Sequence, residues 1–125
     1  MPAYMDEPPV FLVIERHRAA FSALEKHVEI VDQLHEDSEE WASGQLELSR
    51  LEDEVTEAAS AMTTVQLSSI AEVVSLLSYV EDFSSSHRGG YLLWPENISV
   101  SHREVPWSFA LFNNIRARLG GDITK

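Results

Sequence analysis

The sequence predicts an all-α protein: an antiparallel helical bundle of about four helices with a long first hairpin, and room for a small β-hairpin between the third and fourth helices. Apolar residues recur at three- and four-residue steps through most of the 125 positions. Capping or breaking residues separate these periodic stretches at Asp37-Ser38, at Ser69 and after Phe83. There is no cysteine, so a packed core rather than a disulfide framework has to hold the chain together. The length suits a single domain over 1–125, with 1–8 as a frayed tail and 84–104 as a long connection.

Residues 64–83 are the expected hub. Leu67, Ile70, Val74 and Leu77 form one apolar stripe, and Val73, Leu76, Val80 and Phe83 form a second beside it. A helix with two stripes asks to be covered from two directions. Ser69 followed by Glu72 is a capping box, so the helix proper is expected to start at Ser69.

The first helix is expected over 9–36. Pro9 suits its first turn, where a missing N–H costs nothing. Its seam is Val10, Ile14, His17, Phe21, Leu24, Val28, Val31 and His35, a coiled-coil-like rhythm. Asp37 or Ser38 can accept from the free N–H groups of the next helix, where Glu39 and Glu40 suit the positive end of the dipole. That second helix should run to about Met62, with Trp41, Gly44, Leu48, Leu51, Val55, Ala58 and Met62 as its seam. Gly44 weakens the helix by about 1 kcal/mol but permits a close approach. The short connection predicts an antiparallel pair.

After the hub, residues 91–94 and 98–101 read as two short strands around a turn at Pro95-Glu96-Asn97. The last helix is expected from about Pro106 to Leu119, with Trp107, Phe109, Phe112, Ile115 and Leu119 apolar and Gly120-Gly121 as its stop.

Charge narrows the function classes. The formal charge of −12 repels phosphate backbones and anionic lipid, so neither nucleic acid nor membrane is an expected partner. A helix-turn-helix reading of the second helix and the hub fails on this ground too. Its recognition helix would carry Glu72, Glu81 and Asp82 and no base. The acids concentrate between Glu29 and Glu57, where eleven face one base. From Arg88 onward five bases face three acids. An acidic hairpin meeting a basic tail, within or between chains, is one reading; a solvated acidic face is the other. The opening MPAYMDEPPV lacks a basic region followed by an apolar run, and no window reaches the ~18 residues of a membrane span. The expected location is cytoplasmic. Asn97-Ile98-Ser99 fits a glycosylation pattern, which has no meaning in that compartment.

Three runs carry a resemblance: IERHRAAFSALE over 14–25, LEDEVTEAASA over 51–61 and MTTVQLSSIAEVVSLLSYV over 62–80. Together they resemble a group of short uncharacterised alphaproteobacterial helical proteins. The matching residues are His17, Arg18, Ala19, Ala20 and Phe21, then Thr63 and Thr64, then Leu77 and Tyr79. The resemblance implies a bacterial, cytosolic helical protein and implies no activity.

No catalytic residue or cofactor emerges. Ser86-His87 and Ser101-His102 are neighbours in sequence only, and there is no nucleophile elbow or phosphate loop. Asp32 and His35 have the i, i+3 spacing of metal ligands on one helical face, with Glu36 and Glu39 following, but the second such motif of a carboxylate-bridged bundle is missing. A metal-binding bundle, and with it a metal-dependent enzyme, is therefore the alternative reading. An apolar ligand pocket of Tyr91, Trp94, Trp107 and Phe112 is a third. The leading expectation is a non-enzymatic interaction or structural and regulatory protein that self-associates as a homodimer, alongside a protein partner the sequence does not name. The hairpin seam, at Ile14, His17, Phe21, Leu48, Leu51 and Val55, is the expected interface.

Overall fold

The computed structural model describes residues 8–86, 94–100 and 102–123. Helix α1 spans Pro9–Asp32, α2 Glu39–Ala61, α3 Ile70–Ser86 and α4 Trp107–Ile123, with strands β1 (Asn97–Val100) and β2 (Arg103–Pro106) before α4. The fold is predominantly helical, with the two strands as a minor addition. Of the expected frayed tail at 1–8 all but Pro8, and of the first expected strand at 91–94 all but Trp94, lie outside the described residues.

α1 and α2 form the predicted antiparallel pair. Arg16 reaches Glu54 near one end, while His27 Nε2 donates to the carbonyl of Gly44 near the other. Val10, Ile14, His17, Phe21, Leu24 and Val31 are buried on α1, and Gly44, Leu51, Val55 and Ala58 on α2. Gly44 does what its position suggested. A Cβ there would lie 2.8 Å from Val31 Cγ2, so the bare backbone is what lets the helices come this close.

The first helix ends earlier than expected, at Asp32 instead of Glu36. His35 therefore leaves the seam and is exposed in the connection. Two local demands close the helix. Asp37 takes a left-handed conformation (φ 73°), which Asp tolerates better than most residues. Ser38 then caps α2, its Oγ accepting from Trp41 N–H at 3.0 Å while donating to the carbonyl of His35.

α3 starts as its capping box predicts. Ser69 Oγ accepts from Glu72 N–H at 3.2 Å, and Glu72 accepts in return from Ser68 N–H at 2.9 Å. The helix continues through Ser84 and Ser85 to Ser86, three residues past the expected end. It runs parallel to α1, since His17 and Phe21 meet Tyr79 and Phe83 in the same order.

The hub expectation needs correction. Val73, Leu76 and Phe83 are buried and Val80 half-buried, but Ile70, Val74 and Leu77 are 46–53 % exposed. Among the described residues α3 is thus covered on one side. The reason is where α4 goes. Trp107 Nε1 donates to the carbonyl of Ala59, Asn114 Nδ2 to those of Met62 and Val65, and Arg118 to that of Ser68. α4 is therefore fastened along the end of α2 and the α2–α3 connection, and among the described residues these anchors leave the second stripe of α3 about half exposed.

The hairpin is also displaced from its expected position. β1 pairs with β2 antiparallel, Ile98 opposite Val105 and Val100 opposite Arg103, so Asn97 sits in a strand and not in the turn, and His102 is left-handed (φ 68°). Ile98 decides the register: it is the one buried residue of β1, and a one-residue slip would turn it to solvent. Pro106 closes β2, where its missing N–H is harmless, and Trp107 N–H bonds back to Glu96 O at 3.0 Å. Gly120-Gly121 does not stop α4, which continues to Ile123. Glycine lowers helix stability without forbidding the helix.

Candidate functional site

The site is built around His17. It is fully buried, so both ring faces and edges need partners. Trp94 stacks on it at 4.6 Å and 19°, and Phe21, one helical turn along α1, lies nearly parallel at 6.5 Å. Phe83 and Tyr79, one turn apart on α3, meet it edge-on at 4.9 and 5.7 Å. Such edge and offset arrangements are the ones aromatic quadrupoles favour. Trp107 stacks on the far face of this cluster, 4.6 Å from Trp94 and within 5° of parallel. The polar handles are used as well: Trp94 Nε1 donates to Ser84 Oγ at 2.9 Å, and His17 Nδ1 shares a 2.7 Å hydrogen bond with the Tyr79 hydroxyl.

Burial pushes the Tyr79 phenol up to about 12, against a smaller opposing effect of the Arg18 guanidinium. That guanidinium lies over the Tyr79 ring at 5.2 Å and pairs with Glu15, one turn away on α1. A phenol held neutral this firmly is a structural hydrogen-bonding group at physiological pH, not an activated one.

Outside this cluster, α1 and α3 leave a groove of about 760 Å³. Its floor is Ile14, Phe21, Tyr79 and Phe83; Phe11 and Val74 flank it; Glu15, Glu25 and Asp82 stand at its rim with Arg18. Val74 joins it to the exposed stripe of Ile70 and Leu77. Ser22, Ser75, Ser78 and Ser86 complete the lining, so the groove mixes apolar and polar surface, with Glu15 paired to Arg18 at its border.

The sequence-predicted interface residues fall elsewhere. Ile14, His17, Phe21, Leu51 and Val55 are buried within a single chain, and Leu48 packs half-buried against the same core. Ile14 and Phe21 also reach the groove floor. The metal candidates are spread out: Asp32 ends α1, His35 and Glu36 lie in the connection, and Glu39 opens α2. His35 Nδ1 donates to the carbonyl of Glu36 at 2.7 Å. Among the described residues no three His, Asp or Glu side chains are grouped to hold a metal ion. Of the expected ligand pocket, Trp94 and Trp107 come together as a packed stack, Phe112 is 60 % exposed, and Tyr91 lies outside the described residues. No helix among the described residues is long and apolar enough to cross a membrane.

Sequence reasoning missed the Tyr79–His17 bond and the groove. A histidine on an apolar seam was a signal that a polar partner must exist, though not which one. The doubled stripe of α3 was the signal for the groove, misread as two buried faces. Comparison with protein-family models, with curated proteins and with solved structures gives no match.

Proposed function

We propose that this chain is a non-enzymatic helical interaction module of the cytoplasm, self-associating as a homodimer, with a structural or regulatory role. Kinship with the short alphaproteobacterial helical proteins it resembles belongs to the same proposal and brings no activity with it. One observation carries the reading: Ile70, Val74 and Leu77, on one face of α3, stay about half exposed beside the groove. Contiguous apolar surface of this kind is characteristic of a contact site. The hairpin seam is already spent on the chain's own core, which moves the proposed dimer interface to the α1–α3 side.

Analytical ultracentrifugation tests this directly. The wild-type chain is expected at twice 14.1 kDa in the micromolar range. Val74→Glu/Leu77→Glu should run as a monomer with unchanged helical circular dichroism, since both side chains are exposed. A wild-type monomer throughout that range rejects the homodimer.

A further inference from the structure

We draw no further inference here: the strongest candidate, the apolar surface patch of Phe109 and Phe112 on α4, is more than half exposed, and nothing in the structure shows what covers it.

Discussion

Replacing Tyr79 by phenylalanine isolates one atom of the cluster beneath the groove. The ring stays, with its edge contact to His17 and its tilted contact with Phe83, and only the hydroxyl leaves. That hydroxyl is the 2.7 Å partner of His17 Nδ1, on a histidine with no exposed surface. Leaving a buried polar group without its bond costs about 1–3 kcal/mol. Taking about 2 kcal/mol, and about 4 °C per kcal/mol for a domain of this size, Tm should fall by about 8 °C near neutral pH. The pH dependence carries its own sign. Tyr79 ionises near 12 when folded, against an ordinary value near 10. Below pH 10 both states keep the proton. Between 10 and 12 the unfolded chain loses it while the folded chain does not, so stability falls as pH rises. At 1.36 kcal/mol per unit this loss reaches at most about 2.7 kcal/mol. Tyr79→Phe has no such proton to lose, so the gap between the two proteins should close, and then reverse, as pH approaches 12. Urea unfolding followed by circular dichroism at stepped pH measures both effects. The double variant His17→Phe/Tyr79→Phe should be less damaging than the sum of its parts, because it removes donor and acceptor together. An unchanged neutral-pH midpoint in Tyr79→Phe, or parallel alkaline losses in the two proteins, would refute this account of the bond.

Other substitutions test the frame that holds the groove. Gly44→Ala sets a helix-propensity gain of about 1 kcal/mol against an overpacking cost of about 1–3 kcal/mol, because the new Cβ lies 2.8 Å from the stiff, buried Val31; a net loss of about 1 kcal/mol in urea titration is expected, and a gain would mean the helices separate freely. Ser38→Ala removes the cap of α2 and should cost about 1 kcal/mol, whereas Ser38→Asp should retain most of the stability. Arg16→Ala breaks an exposed ion pair that holds Glu54 below the usual carboxylate range. It should cost less than about 1 kcal/mol, shrink further in high salt, and vanish as acid protonates the glutamate. Trp107→Phe deletes the 2.7 Å bond to the Ala59 carbonyl and should lower stability by about 1–3 kcal/mol while loosening α4 in hydrogen exchange.

The exposed stripe and the buried cluster are two consequences of one packing choice. α3 gives its Val73–Leu76–Phe83 side to the core, each such side chain contributing about 1.5–3 kcal/mol when fully buried. Its other apolar stripe, Ile70, Val74 and Leu77, stays about half exposed, as do Phe109 and Phe112 on α4.

The amino-acid order alone determined the parts of this protein that are local. The antiparallel α1–α2 pair, the Ser38 cap, the Ser69–Glu72 box and the tight approach at Gly44 were all legible in it. Each rests on bonds or clashes within a few residues, or on a seam whose period the chain repeats. The extent of α1 and α4, the strand register, the bond from His17 to Tyr79 and the open face of α3 were settled only by tertiary structure. A hydrophobic stripe states that it needs cover and says nothing of which neighbour supplies it. That choice was made by Trp107, Asn114 and Arg118, which found carbonyls on the last turn of α2 and on the α2–α3 connection and took α4 there.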